Sequence, residues 1–145
     1  MAHRDKAEEE LRKLSMEMRY LEQTAETLQQ RISMVNAALT DINYANMTLD
    51  GIEKEKENTE MLVPIGGSSY VKVKLADSNK VIIGLGAGVS VEKTLPEAKA
   101  TLKERLDELE KTMHAAQQQL SQVADRINSG RSRLENLLAT RDGKQ

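Results

Sequence analysis

Several residue types are scarce or absent in this chain of 145 residues. It has no cysteine, no Phe and no Trp, and its only prolines are Pro64 and Pro96. The lack of cysteine excludes disulfides and thiol chemistry, and it is typical of a protein of the reducing cytosol. Aromatic side chains supply much of the area of a globular core. With three tyrosines as its only aromatics, the chain is not expected to form one large packed globule.

Long apolar runs and a dominant charge are absent as well. No segment approaches the roughly 18 apolar residues that a membrane-spanning helix needs. The N-terminus, MAHRDKAEEEL, lacks the apolar region of a signal peptide. The net charge of −2 gives no general attraction to nucleic acid or to anionic membranes. These features predict a cytoplasmic protein with no nucleic-acid partner and no membrane partner.

The chain has instead a heptad pattern in two long, charged segments. In the first, from Lys6 to about Asn58, apolar residues recur at heptad positions a and d. The a positions are Leu11, Met18, Ala25, Ile32, Leu39 and Asn46, and the d positions are Leu14, Leu21, Leu28, Val35, Ile42 and Leu49. Asn46 is either a polar residue tolerated near the helix end or a device that sets the register. The pattern predicts a helix about 75 Å long.

The second segment runs from Leu95 to about Thr140 and keeps the same period. Its start, Thr94-Leu95-Pro96-Glu97, has the pattern of a capping box. The d positions are Leu102, Leu109, Ala116, Val123, Gly130 and Leu137, and the a positions are Leu106, Met113, Leu120, Ile127 and Leu134. Because the two segments are nearly equal in length, we expect an antiparallel coiled-coil hairpin. Its expected register places Met18 across from about Leu134, and Gly130 near Leu21 and Ala25.

Between these segments, the stretch from Glu60 to Leu95 changes to a period of two. The expected strands are Val63–Ile65, Tyr70–Leu75, Lys80–Leu85 and Val89–Lys93, in two antiparallel hairpins. Hairpins of this size cannot bury both faces on their own, and exposed strand edges pair readily with another chain. The insert is therefore predicted to be an oligomerisation module. Its predicted contact residues are Val63, Ile65, Val71, Val73, Leu75, Val81, Ile83, Leu85, Val89 and Val91.

Patterns of catalytic or cofactor-binding residues are missing. The stretch Gly84-Leu85-Gly86-Ala87-Gly88 lacks the spacing of a nucleotide-binding loop and precedes a strand-like run. His3 and His114 have no metal-ligand spacing, and Ser68 and Ser69 have no neighbouring base motif. We therefore expect no enzymatic activity, no catalytic residue, no metal and no cofactor.

Two stretches of the insert, PIGGSSYVKVKL (Pro64 to Leu75) and KVIIGLGAGVSVEK (Lys80 to Lys93), resemble the alpha subunits of the prefoldin family, of archaeal type. With the flanking six-heptad helices, the similarity covers nearly the whole chain. Beta subunits of the family have one hairpin and a shorter insert, so the two hairpins here favour an alpha subunit. One departure is Gly66-Gly67-Ser68, where family members often have a third glycine, and it affects only a turn.

The resemblance implies an α+β fold: a long antiparallel coiled-coil helical hairpin with two β-hairpins inserted at the bend, which form a β-barrel body on oligomerisation. The chain is then a single prefoldin-like unit, 1–145. Its N-terminal coiled-coil helix lies in 1–59, its oligomerisation insert in 60–94 and its C-terminal coiled-coil helix in 95–145. The implied assembly is a hexamer of two alpha and four beta subunits.

The function that the resemblance implies is that of an ATP-independent chaperone, a holdase. Such a subunit captures unfolded or nascent proteins at the coiled-coil tips and transfers them to a group II chaperonin. The expected client-binding residues at the tips are Leu11, Leu14, Met16, Met18, Tyr20, Leu134, Leu137 and Leu138. For those on the seam, the alternative role is to hold the two helices together. The alternative function is that of a structural coiled-coil adaptor without chaperone activity.

Overall fold

A computed structural model describes the backbone of residues 2–143 and the side chains of residues 4–142. Residues 1, 144 and 145, at the ends of the predicted unit, lie outside the described residues. The order of elements is α1 (Ala2–Glu53), β1 (Glu60–Gly66), β2 (Ser69–Lys74), β3 (Lys80–Gly86), β4 (Val89–Thr94) and α2 (Leu95–Gly143). Strand β1 pairs with β2, and β3 pairs with β4, both antiparallel. This arrangement confirms the predicted α+β fold of two long helices with two inserted hairpins.

The first helix ends at Glu53 and not near Asn58, so the predicted end was wrong. After the helix, the N–H of Glu55 donates to the carbonyl of Ile52 at 3.0 Å in a tighter turn. Asn58 has a positive φ of 67°, a conformation that asparagine tolerates better than most residues. Its N–H donates to the carbonyl of Leu75 at 2.7 Å. The N–H of Asn58 is thus bonded to the residue that follows β2, a distant partner that helix propensity does not reveal.

The second helix begins at Leu95, as the capping-box pattern predicted. Thr94 Oγ1 accepts a hydrogen bond of 3.4 Å from the N–H of Glu97, which satisfies one of the free donors of the first turn. The N–H of Leu95 donates to the carbonyl of Asn79 at 2.9 Å. The start of α2 is therefore tied by its backbone to the turn that leads into β3.

The chain divides into two compact units: the terminal unit, residues 1–37 and 111–145, and the central unit, residues 38–110. In the terminal unit, α1 and α2 pack through a buried cluster of Leu14, Met18 and Leu21. The residues packed against this cluster are Val123, Ile127, Leu134 and Leu137. All of them occupy the predicted a and d positions, which confirms the heptad assignment in this unit.

The register between the helices of the terminal unit differs from the prediction. Met18 lies against Gly130, which is four residues before the predicted partner Leu134. The pairing is therefore shifted by about one helical turn. The early end of α1 accounts for the shift, because counting back from Glu53 moves every pairing by roughly that amount.

In the central unit, one core joins both helices to the second hairpin. The buried residues of this core are Leu49, Ile83, Leu95, Ala98 and Leu102, and Ile42, Ala45 and Val81 pack against them. Arg105 adds a polar link, since its Nη2 donates to the carbonyl of Gly84 at 2.7 Å. The hairpin β3–β4 is thus fixed to the helices by apolar packing on one face and by this hydrogen bond.

Candidate functional site

The same kind of turn closes both hairpins. The loop residues have positive φ: 57° at Gly67 and 59° at Ser68 in the first hairpin, and 52° at Ala87 and 76° at Gly88 in the second. Two successive residues of this kind are the mark of a type I′ turn, whose twist matches that of the flanking strands. The glycine-rich stretch from Gly84 to Gly88 is therefore a hairpin end, which accords with the prediction that it is no nucleotide-binding loop.

A bulge before each turn pushes an apolar side chain outward. The pairing register skips Ile65 in the first hairpin and Leu85 in the second. Both side chains are exposed. Because bulges re-aim side chains at sheet edges, each hairpin end presents one large aliphatic residue to its surroundings.

The first hairpin, β1–β2, has open apolar side chains on both faces. Val63 pairs with Val71 on one face, while Leu62 and Tyr70 lie on the other. Leu62 and Tyr70 are 61% and 62% exposed. In the described part of the chain, no side chain of this hairpin belongs to the central core. An isolated two-stranded hairpin is marginally stable in water, so the apolar side chains of this one are left without the cover that a stable sheet needs.

The second hairpin, β3–β4, is open on one face only. Its inner face carries Ile83, which is 5% exposed, paired with Val91. Its outer face carries Ile82, which is 73% exposed, paired with Glu92. Ile83 therefore belongs to the core of its own chain, although the sequence suggested an oligomer contact for it.

The other predicted oligomerisation residues differ in how open they are. Five are exposed: Val63, Ile65, Val71, Leu85 and Val89. Four are half-buried: Val73, Leu75, Val81 and Val91. The surface also includes Leu62, Tyr70 and Ile82, which the alternation pattern assigned to the faces opposite the predicted contacts. The presence of large apolar residues on both faces was the signal that pointed to them.

The predicted client-binding residues fall into three groups in the terminal unit. Met16 and Tyr20 are 66% and 68% exposed. Leu11, Leu134, Leu137 and Leu138 are half-buried. Leu14 and Met18 are buried in the cluster between the helices. For these last two, burial supports the role of holding the seam together.

Three exposed apolar residues of α1 were missing from the prediction: Met34, Tyr44 and Met47. They occupy heptad positions c, f and b, which face away from the partner helix. Searching the outward heptad positions for Met and Tyr would have found them. Of the large hydrophobic side chains that are exposed in the described residues, none lies on α2.

Charged pairs flank the seam of the terminal unit. Arg133 Nη2 lies 2.6 Å from Glu10 Oε1, and Arg131 Nη2 lies 4.0 Å from Glu22 Oε1. Glu10 and Arg133 both occupy g positions, whereas Glu22 and Arg131 both occupy e positions. Pairs of g with g and of e with e are the pattern of two antiparallel helices. Exposed ion pairs of this kind favour one helix orientation more than they add to the stability of the chain.

In the central unit, Lys99 of α2 links to the last turn of α1. Its Nζ donates to Glu53 and lies 2.9 Å from Asp50 Oδ1. The hydrogen bond with Glu53, followed by the one with Asp50, raises the pKa of Lys99 above its ordinary value. The lysine is therefore held protonated beside the two carboxylates at the end of α1.

No group of three or more His, Asp or Glu side chains among residues 4–142 is arranged to hold a metal ion. The side chain of His3 lies outside the described residues, and that of His114 is exposed. Within the described chain, neither helix is long and apolar enough to cross a bilayer. The surfaces that stand out chemically are the open hairpins and the outward face of α1.

A family model described as "Prefoldin subunit" matches residues 21–139. Prefoldin subunit alpha of Methanococcoides burtonii is 32% identical over 130 residues, which are 90% of this chain and 94% of the relative. Prefoldin subunit alpha of Pyrococcus horikoshii is 34% identical over 119 residues, which are 81% of this chain and 80% of the relative.

Two solved structures share the fold. A filamentous PFD from Methanocaldococcus jannaschii superposes with a TM-score of 0.66 at 22% identity, covering 77% of this chain and 92% of that one. The prefoldin beta subunit from a Thermococcus strain gives a TM-score of 0.59 at 17% identity, covering 88% and 90% of the two chains. The family model covers most of the chain, and the similarity to these relatives extends over 80% or more of their length. The chain belongs to the prefoldin family of chaperone subunits, and it is most clearly similar to the alpha subunits of that family.

Proposed function

We propose that the chain, as one unit of residues 1–145, assembles with beta subunits through its two hairpins. The observation that carries this proposal is the open first hairpin. Each of its strands pairs with one neighbour only, so each has a free edge. Burying Leu62 and Tyr70 in an assembly stabilises it by about 1.5–3 kcal/mol for each fully buried side chain. A shared β-barrel built from the hairpins of two alpha and four beta subunits pairs these edges and covers these faces.

The assembled protein is proposed to act as a holdase in the cytoplasm. It captures unfolded or nascent chains at the terminal units and passes them to a group II chaperonin. The exposed Met16 and Tyr20 support this role, because methionine is flexible and polarisable and so adapts to many apolar partners. Contacts of this kind are individually weak, but several subunits that hold one client raise the overall affinity through effective concentration. Release through successive weak contacts needs no ATP.

Removal of the chain ends tests whether the hairpins assemble the subunits and the terminal units capture clients. A variant limited to residues 18–127 keeps both hairpins and the central core, so we expect it to assemble with beta subunits in native mass measurements. We expect it to lose the ability to suppress aggregation of an unrelated unfolded protein, measured by light scattering. A finer variant, Met16→Ser with Tyr20→Ser, is expected to lower that protection while leaving the helix content unchanged.

Three results contradict the proposal. If the shortened assembly still protects clients, the terminal units are not the capture site. If the full chain assembles but never protects an unfolded protein, the chain is a structural adaptor. A full chain that stays monomeric when mixed with beta subunits overturns the role of the hairpins.

A further inference from the structure

The outward face of α1 in the terminal unit has an unusual composition. From residue 12 to residue 23, the positions that face away from α2 (b, c and f) are all exposed. Their residues, which we call the basic–apolar patch, are Arg12, Lys13, Met16, Arg19, Tyr20 and Gln23. The patch contains three cations, two large apolar side chains and no carboxylate. Acidic residues bound it on both sides, at the outward positions Glu9 and Glu26.

The outward face of α2 in the same unit is different. From residue 114 to residue 139, its outward positions are likewise all exposed. They are His114, Ala115, Gln118, Ser121, Gln122, Asp125, Asn128, Ser129, Ser132, Glu135, Asn136 and Ala139. From residue 114 to residue 139 this face has no lysine, no arginine and no large apolar side chain, and Lys111 is the outward cation that precedes it. The capacity to bind an apolar or acidic partner therefore belongs to α1 and not to α2.

The charges of the seam explain why the patch keeps its positive charge. The carboxylates of Glu10 and Glu22 point to the flanks of the seam, where they pair with Arg133 and Arg131 of α2. Of the cations in the patch, Lys13 pairs with Glu9 at 3.8 Å, in a contact exposed on both sides. Arg12 and Arg19 take part in none of the ion pairs of the described residues. Both are exposed to an incoming ligand, and Arg12 also lines a shallow pocket with Asp5, Glu8 and Glu9.

We propose that the basic–apolar patch selects client segments in which apolar residues stand next to carboxylates, and that it binds them while the seam between the helices stays closed. This inference rests on the proposed holdase function and names the surface and the client chemistry for it. Met16 and Tyr20 lie one turn apart, so they hold apolar side chains of the segment. Arg12 and Arg19, one on each side of Met16 along the helix, pair with its carboxylates.

An anionic membrane is the other partner that a basic, apolar helix face fits. Helices that lie in a membrane interface carry a broad apolar face rich in Leu, Phe or Trp. The patch offers only one methionine and one tyrosine, and neither is flanked by another large apolar outward residue within residues 12–23. This narrow apolar strip fits a single extended or helical peptide segment better than a lipid surface.

The selectivity is measured with the full chain and three fluorescein-labelled peptides by fluorescence anisotropy. The peptides share the same leucines and differ only in the residues between them, which are glutamate, glutamine or lysine. The expected order of affinity is glutamate, then glutamine, then lysine, and the difference should shrink as salt is raised because exposed charges are screened.

Two matched variants assign the effect to the patch. Arg12→Ser with Arg19→Ser lowers the charge by two on α1, and Gln118→Glu with Gln122→Glu does the same on the outward face of α2. The α1 variant should bind the glutamate peptide about twofold to thirtyfold more weakly, the range for two exposed ion pairs. It should bind the glutamine peptide almost unchanged. The α2 variant should change the affinity for the glutamate peptide less than twofold.

The outcomes separate this inference from the function on which it rests. If the full chain suppresses client aggregation but binds the three peptides equally, the holdase function stands and the patch inference is overturned. If both double variants weaken the binding of the glutamate peptide equally, the net charge of the chain and not the patch determines the affinity. If the chain instead binds vesicles of anionic phospholipid through Arg12 and Arg19 and shows no peptide preference, the surface belongs to membranes. If it neither protects clients nor binds any peptide, the proposed function itself fails.

Discussion

The sulfur of Met18 occupies the space that a β-carbon on Gly130 would need. An alanine at position 130 would place its methyl group well inside van der Waals contact of Met18 Sδ and 3.4 Å from Met18 Cε. Met18 is only 7% exposed and belongs to the buried cluster of the terminal unit. Because Gly130 has no side chain, it leaves room for the side chain of Met18, and the two helices can pack closely at this position.

Replacing the glycine should be unfavourable only while the methionine is present. Alanine favours a helix over glycine by about 1 kcal/mol, but overpacking a core costs about 1–3 kcal/mol. We expect Gly130→Ala to lower the free energy of unfolding by about 1 kcal/mol. In a Met18→Ala background, the same change should raise it by about 1 kcal/mol. Urea unfolding followed by circular dichroism measures this cycle, and equal effects in both backgrounds would show that the two residues are not coupled.

Gly51, near the end of α1, provides a matched comparison with Gly130 because it too is a glycine inside a helix. A β-carbon there, however, meets no atom within 4 Å. Gly51→Ala should therefore raise the free energy of unfolding by about 1 kcal/mol through helix propensity alone. The same urea experiment tests it. A destabilisation would mean that the flexible last turn before Glu53 is needed for the chain to leave the helix.

The contacts of Lys99 with the end of α1 predict that part of the stability of the fold is lost at high pH. Because the folded-state pKa of Lys99 is raised, its contribution to stability is fully present below the pKa of lysine in the unfolded chain, about 10.4, and is lost as the pH rises through the folded value. Lys99→Met should therefore lower the melting temperature at pH 7 and at pH 9. The difference from the unsubstituted chain should fade toward pH 11.5. The control is Lys103→Met, an exposed lysine on the same helix, which should show little effect at any of these pH values.

Aspartate substitutions in the two hairpins should have different consequences. Ile83→Asp buries a charge in the core of the chain itself, so we expect a loss of about 3 kcal/mol or more in the free energy of unfolding. Val71→Asp lies on the open first hairpin and should change that quantity by no more than about 0.5 kcal/mol. It should nevertheless reduce the mass of the assembly with beta subunits, measured by native mass spectrometry. If the mass stays the same, the face that carries Val71 is not an assembly surface.

The heptad residues made most of the fold predictable. Every assigned a and d residue from Leu11 to Leu137 is buried or half-buried, because seam packing and sequence period express the same geometry. The register was wrong by about one turn, since it depended on where α1 ends. The chain that follows this end is tied by the hydrogen bond from the Asn58 N–H to the Leu75 carbonyl, and sequence period carries no information about such a bond.

The candidate surfaces were predictable only in part. Alternation placed Ile83 and Val71 in one class, because both are apolar residues on one face of a strand. The structure separates them: Ile83 packs against Leu49 and Leu102, whereas Val71 is exposed. The difference arises from which hairpin adjoins the helices, and a two-residue period cannot show it. The outward Met16 and Tyr20 were found from the sequence because they fall outside the seam.

Because only the second hairpin packs against the helices, the two hairpins are expected to become covered at different times. The second hairpin can be covered as soon as its own helices form, whereas the first has no such cover within the described chain. A newly made subunit therefore displays Leu62, Ile65 and Tyr70 until a partner arrives. During that interval the unpaired strand edges of the first hairpin are accessible to proteases and can pair with the wrong strands. If the hairpins assemble as proposed, this surface is covered in the complex, and we expect a copy made in excess to be cleaved sooner than an assembled one.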